Sequence, residues 1–342
     1  MNSCITTLLG IQTPLVAPPM AGASGGALAA QVTNGGGFGF ISAGYQPAET
    51  LISELSLARS LLETKSSTGI LPVGVGYLGW LLDKMPPKES ETLLIAALSA
   101  NVQAFWFAFG RNLGKWIQYV RDKSPEKCPL IFVQVNSLDE AVHAVENLKA
   151  DVIVAQGIES GGHGGSYAPP LSELLQNILA QFAGSSQEPC ILAAGGLANG
   201  SDIALQLGLG AAGVVMGTRF LLSPESKYTD AQREALITAR SEDTVRTTAF
   251  DQARGTIDWP EGIDGRGLRN DTVSDFEQGI SLELIQSKFR EGIQNQDHKR
   301  FLVWAGTGVG LMSRTMPAKD IVKELHQECE QQLKLSNLER NP

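Results

Sequence analysis

Residues 151–165 read DVIVAQGIESGGHGG. The apolar run Val152–Ala155 stops at Gln156-Gly157, and six residues later His163 stands among Gly161, Gly162, Gly164 and Gly165. A short run with no polar interruption suits a strand buried on both faces, and a polar, glycine-lined loop after it is how an α/β scaffold carries a site. Glycine lets backbone approach a ligand closely, and an imidazole titrates near neutral pH, so His163 is placed for proton transfer. A mobile surface loop with an incidental histidine accounts for the same residues, and the stretch alone leaves both readings open.

Seven other runs share the character of 152–156: Leu15–Ala17, Phe38–Ser42, Pro72–Gly76, Ala104–Phe109, Leu130–Val135, Cys190–Ala194 and Gly213–Met216. Helical patterns lie between them. Ser137-Leu-Asp-Glu140 is a capping box, followed by Leu138, Ala141, Val142, Val145 and Leu148 at helical spacing. Pro47 precedes a helix with Leu51, Leu55, Ala58 and Leu62 on one face; Lys88–Ala100 and Pro170–Phe182 supply two more, and Asn34-Gly35 is a helix stop. Eight strand-helix units in series predict an α/β (β/α)8 TIM barrel. An open doubly wound sheet is disfavoured because no strand runs straight into a spaced dinucleotide fingerprint.

The eighth helix is delayed. From about Pro224 to Arg300 the text is polar and helical with few strand-like runs, and it contains a Gly- and Arg-rich loop, WPEGIDGRGLRN, at 259–270. Helical text resumes at Gly308, with Ile321, Val322, Leu325 and Leu333 on an apolar face. Residues 1–223 and 301–342 are therefore expected to form the barrel. Residues 224–300 are expected to form a smaller cap between the last strand and the last helix, over the active face.

At 342 residues, 43% hydrophobic and 18% charged, the chain can bury a large core. A net charge of −9 without a basic stripe argues against nucleic acid and anionic membranes. Cys4, Cys128, Cys190 and Cys329 are scattered, and Cys128 and Cys190, beside apolar runs, read as buried thiols. That is a reduced, intracellular pattern, and with no signal segment or membrane span the expected location is the cytoplasm.

The strand ends hold the candidate chemistry. They are Pro18–Gly22, Gly74–Tyr77, Gln134–Asn136, Gln156–Gly165, Ala194–Gly196 and Met216–Thr218. The set is nearly devoid of charge, with no paired carboxylates, no lysine suited to a Schiff base and no metal-ligand cluster. Backbone amides, amide side chains, thioethers and one histidine suit a site whose cofactor brings the chemistry. Gly195-Gly196 and Gly217-Thr218 follow the seventh and eighth strands, where barrels commonly bind phosphate, although either pair alone reads as a turn. Met20, Gly22 and Gly74 could lie against a flat ring; Met20 taken alone reads as core. His143, His298 and His326 sit in polar helical text and are expected to be solvated.

These loops resemble a known family. PPMAG at 18–22, VGVG at 73–76, AQGIESGGHGG at 155–165, ILAAGGL at 191–197, GVVMGTRF at 213–220, GRGLRN at 265–270 and AGTGVGLM at 305–312 are similar to the nitronate monooxygenases, formerly 2-nitropropane dioxygenases. The resemblance implies an FMN-dependent TIM barrel that oxidises alkyl nitronates with O2 to carbonyl compounds and nitrite. It implies that Met20, Ala21 and Gly22 line the flavin and that Gln134 and Gln156 hydrogen-bond it. Gly161 and Gly162 approach it closely, with Gly74 and Met216 beside it. Gly195, Gly196, Gly217 and Thr218 hold the FMN phosphate, and His163 takes the α-proton of a neutral nitroalkane. The partners implied are the nitronate or nitroalkane and O2, with a homodimer among the assemblies left open.

Two positions depart from the family pattern. Relatives usually have Asn at the position of Gly76, so a polar contact is either missing or supplied by Tyr77. Many have Arg where this chain has Gly164. Three other readings stay open: an NAD(P)H-dependent reductase of quinones or enoyl thioesters on the same barrel, a flavin-binding protein without catalysis, and a flavin-free phosphate-binding isomerase.

Overall fold

All eight apolar runs become strands of one closed, wholly parallel barrel. The computed structural model describes residues 1–63, 69–126, 128–185, 188–297 and 299–340, with side chains through 335. In chain order the strands are β1 (Leu15–Ala17), β2 (Phe38–Ser42), β3 (Leu71–Leu78), β4 (Val102–Ala108), β5 (Leu130–Val135), β6 (Val152–Gln156), β7 (Gly162–Gly165), β8 (Cys190–Ala194), β9 (Gly213–Val215), β10 (Thr244–Thr247) and β11 (Ile263–Leu268). The barrel closes in the order β1-β2-β3-β4-β5-β6-β8-β9.

Alternate residues explain why the strands carry no polar face. Val16, Phe38, Phe40, Ala104, Trp106, Phe132, Val154 and Leu192 fill the barrel interior. Val75, Phe105, Val133, Ile153, Ala193 and Val214 pack outward against the helices. Both faces are buried, so each strand reads as an uninterrupted apolar run. Inside, Phe40 meets Trp106 and Phe132 edge-on at 5.1 Å each, a packed core rather than a pore. Gly39 permits one tight spot, since a Cβ there would lie 2.4 Å from the Ala29 backbone.

The helix Cys4–Leu9 closes the end of the barrel formed by the strand N-termini. Ser3 caps it reciprocally with Thr6, and Gly10 ends it at φ 69°. Ile5 and Leu9 pack with Phe38, Val152 and Cys190, the first residues of β2, β6 and β8. Cys190 is buried as expected, but Cys128 is exposed. Apolar text beside Cys128 belongs to the strand it precedes. Ser137 does cap its helix, accepting from the Glu140 amide at 3.2 Å, while the Glu140 carboxylate accepts from the Asn136 amide at 2.6 Å.

The chain between β9 and the last helix, Ala318–Arg340, departs most from the sequence reading. Besides the helices Asp230–Thr238, Ala249–Arg254, Asp271–Glu277 and Leu282–Gln294 it holds two strands, β10 and β11. They form an antiparallel sheet, β10-β11-β7, that takes in the His163 stretch. Two expected loops, GGHGG and GRGLRN, are thus neighbouring strands with Gly265 opposite His163 and Arg266 opposite Gly162. Helix does not resume at Gly308: Thr307–Leu311 is a 3-10 turn, and the last helix begins at Ala318.

Candidate active site

At the mouth of the barrel the strand ends form an uncharged floor. The β5–β6 register sets Gln134 beside Val154, and the β6–β8 register sets Gln156 beside Ala194. Gln134 Nε2 donates to Gln156 Oε1 at 2.8 Å, and Asn136 Nδ2 donates to the same oxygen at 2.9 Å. Gln156 Nε2 donates to the His163 carbonyl at 3.2 Å, tying the floor to β7. Glu159, the one acid in these loops, accepts from the Leu171 amide at 3.0 Å, where it caps the helix Leu171–Phe182.

Most of the sequence candidates converge here. Met20, Ala21, Gln134, Gln156, Gly161, Gly162, His163 and Thr218 line an inner cavity of about 150 Å³. A smaller one of about 70 Å³ beside it is lined by Gly195, Gly196, Met216, Gly217 and Thr218. Gly195 and Gly196 adopt φ 119° and 72°, conformations that favour glycine. The Ser160 hydroxyl also lines the smaller cavity, buried and without a hydrogen-bond partner among the described residues. An orphaned buried hydroxyl costs about 1–3 kcal/mol, so a polar ligand there would relieve it.

Several candidates are placed elsewhere. The space beside Gly74 is filled by the Phe40 ring, 2.1 Å from where a Cβ would be, so this glycine serves barrel packing and not a flat ligand. Gly22 lines an outer chamber rather than the inner cavity. Met216 borders the smaller cavity but also packs with the core between barrel and helices. Pro19 occupies the space a side chain at Gly76 would take, with Cγ 2.2 Å from the Cβ position. Tyr77 does not supply a contact in its place: it points outward and donates to the Leu93 carbonyl at 3.1 Å. Gly161 presses on backbone as well, since its Cβ would lie 2.4 Å from the Gly306 nitrogen.

The roof of the site comes from the chain between β9 and the last helix and is rich in charge and aromatic rings. His163 Nε2 lies 2.9 Å from Asp251 Oδ2, and both side chains are buried. Asp251 sits in the helix Ala249–Arg254, and its other oxygen accepts from the Thr256 hydroxyl at 2.9 Å. Burial pulls the His163 pKa below its ordinary value, against the opposing hydrogen bond and charge of Asp251; Arg254 and Arg246 add to the lowering. A lowered value favours the neutral imidazole at pH 7, with Nε2–H donated to the Asp251 carboxylate; among the described residues Nδ1 has no hydrogen-bond partner. Its ring stacks on Trp259 at 3.6 Å and meets Trp304 edge-on at 4.9 Å.

Gly164 also acquires an explanation. A Cβ there would lie 2.7 Å from Gln156 Oε1. Arg246 Nη2 donates to its carbonyl at 2.9 Å, while Arg246 Nε donates to Asp264 at 2.7 Å. Arg266 donates to the Ile158 carbonyl at 3.1 Å, and Arg269 pairs with Glu277 at the surface. None of the roof residues Asp251, Arg246, Trp259 and Trp304 stood out beforehand. Asp251 is 88 residues from His163 in polar helical text, and no spacing rule links them.

Of the other histidines, His143 is exposed as expected, 3.1 Å from Asn147 Oδ1. His326 is not simply solvated, since Nδ1 lies 2.9 Å from Thr13 Oγ1 in a partly buried contact. His298 lies outside the described residues. An outer chamber of about 580 Å³, lined by Arg254, Gln286, Phe289 and Arg290, shares Ala21, Tyr228, Arg254 and Trp304 with the inner cavity. No helix among the described residues is long and apolar enough to cross a membrane.

Comparison with known proteins agrees with this architecture. The family model described as nitronate monooxygenase matches residues 2–71 and 90–328. A nitronate monooxygenase of Neurospora crassa is 31% identical over 94% of this chain and 90% of its own length. Nitronate monooxygenase npaC of Metarhizium robertsii is 32% identical over 93% and 91%. FabK from Thermotoga maritima superposes with a TM-score of 0.78 at 25% identity, covering the whole of both chains. The chain is an enzyme of the nitronate monooxygenase family.

Proposed function

We propose that this enzyme uses FMN and O2 to oxidise alkyl nitronates to a carbonyl compound and nitrite, and that it also accepts neutral nitroalkanes through His163. The observation that carries the proposal is a buried, neutral imidazole held by Asp251 over a floor without charge. FMN, when bound, supplies the electron acceptor that is reoxidised by O2. The residues present fit it: Gly195, Gly196, Gly217 and Thr218 would hold the phosphate, with the orphaned Ser160 hydroxyl facing the same cavity. Met20, Ala21, Gly161 and Gly162 would line the ring, and Gln134 and Gln156 would meet its polar edge. We assign the cofactor to residues 1–223 and 301–342, and the smaller cap that faces the substrate to 224–300.

The protein's own chemistry is one proton transfer. The α-proton of a neutral nitroalkane passes to Nδ1 of His163, leaving the nitronate. The imidazolium so formed faces the Asp251 carboxylate, which stabilises it and fixes the tautomer beforehand. A nitronate supplied ready-made has lost that proton and needs no base. The test is nitrite release in air without NAD(P)H, with the flavin identified by its absorbance and mass. A colourless protein, or one that releases no nitrite from any nitronate, would sink the proposal.

One observation favours a second reading. The outer chamber carries Arg254 and Arg290 beside apolar Phe289 and Trp304, a setting for an extended anionic ligand such as NAD(P)H. Anaerobic mixing with a nitronate, NADH and NADPH in parallel separates the two readings by which reagent bleaches the flavin.

A further inference from the structure

We propose that Trp259 is a gate over His163 and sets the size of nitronate that reaches it. The proposal rests on the nitronate reading for its substrate and on geometry alone for its moving part. The Trp259 ring lies 3.6 Å from the imidazole and 11° from parallel, and its outer side is held by Phe109 at 5.4 Å and Trp80 at 5.3 Å. It forms the wall of the inner cavity beside His163. A ring stacked on the base bounds the room for a substrate's carbon chain next to it.

The ring is carried by a segment suited to movement. Gly255 and Gly262 flank it at φ 73° and 79°, and no atom lies within 4 Å of either Cβ position. Glycine adopts other backbone conformations more readily than any other residue, which suits both positions to a hinge. Among the described residues, no backbone hydrogen bond ties Ile257, Asp258 or Trp259 to the rest of the chain. One side-chain latch is the ion pair of Asp258 with Lys84, on the helix Gly79–Lys84, and both side chains are half exposed; Tyr45 also meets the Trp259 side chain. At the root of the segment the Thr256 hydroxyl binds the carboxylate that holds His163, at 2.9 Å. A shift of the segment thus reaches the base as well as the entrance.

The experiment compares the holoenzyme with Trp259→Phe, Trp259→Ala and Lys84→Ala on ethyl and hexyl nitronate, alongside acrylamide quenching of tryptophan fluorescence. The difference between wild type and Trp259→Phe isolates the Trp259 signal. Trp259→Ala is expected to raise the hexyl-to-ethyl ratio of kcat/KM by about tenfold, with Trp259→Phe between. Lys84→Ala, or salt at ~1 M, is expected to expose Trp259 to acrylamide and to raise the ratio severalfold. An unchanged ratio in both Trp259 variants with wild-type thermal midpoints overturns the gate, and so does a Trp259 signal indifferent to Lys84→Ala and salt. If no nitronate is turned over, the functional reading fails while quenching still decides the gate: release by Lys84→Ala supports it, indifference rejects it.

Discussion

The two surfaces that meet at His163 are made of opposite materials. Below it, the ends of the barrel strands present glycines, amide side chains and a thioether. Above it, the chain between β9 and the last helix brings Asp251, Arg246, Arg254, Trp259 and Trp304. The floor lies close to the backbone and is suited to holding a flat cofactor without committing to a reaction. The roof tunes one imidazole and shapes the space around it. His163 itself belongs to the roof, because β7 pairs with β11 and with no barrel strand. Holding and reacting are thus divided between two structures with different stabilising forces, hydrophobic burial below and hydrogen-bonded charge above.

The sharpest way to break this division is to remove the base. His163→Asn is expected to lower nitroalkane turnover by about 10²-fold or more, the usual worth of a general base. Nitronate turnover should stay within a few-fold; equal loss on both substrates in steady-state assays would remove His163 from the proton step. Asp251→Asn tests the support of that base and is expected to cost about 10- to 100-fold on nitroalkanes only.

The sign of the pH effect follows from the causes of the His163 shift. In wild type, burial places the acid limb of nitroalkane turnover below the ordinary histidine value, and activity falls as pH drops through it. Asp251 opposes that lowering, so its loss should move the limb to still lower pH. A pH profile of kcat/KM that moves upward instead would contradict the assignment.

The seam between the halves offers a stability test. Gly161→Ala would force a Cβ against the backbone of Ala305 and Gly306, and should destabilise by about 1–3 kcal/mol, read as a lower urea midpoint. Smallest of all is Thr256→Val, which removes one hydrogen bond to the Asp251 carboxylate and acts on His163 only through it. It should cost about 0.5–1.5 kcal/mol in the nitroalkane reaction barrier, a few-fold in rate; no change would mean that Asp251 is held without it.

The same division explains what could be read from the amino acids alone. Every barrel strand is buried on both sides, so Phe38–Ser42 or Val152–Gln156 declares itself as an apolar run. The roof strands carry no such pattern. GHGG, TVRT and IDGRGL are held by pairing with one another and are at most half-buried along much of their length. The glycines of β11 are there because Trp304 packs on them, with its ring 2.5 Å from the Cβ position of Gly265, a contact spanning the insertion. His163 was legible because glycines surround it. Asp251 was not, since only the fold brings it across 88 residues. Gly74 misled for a related reason: a glycine at a strand end reads as room for a ligand, and here the room belongs to Phe40.

The short helix Cys4–Leu9 has a consequence for traffic. With Ile5 and Leu9 seated among the N-terminal ends of the strands, and Phe40, Trp106 and Phe132 stacked above them, the barrel is a vessel stoppered at its base. That end is closed to traffic, so the floor is reached from the side of the roof.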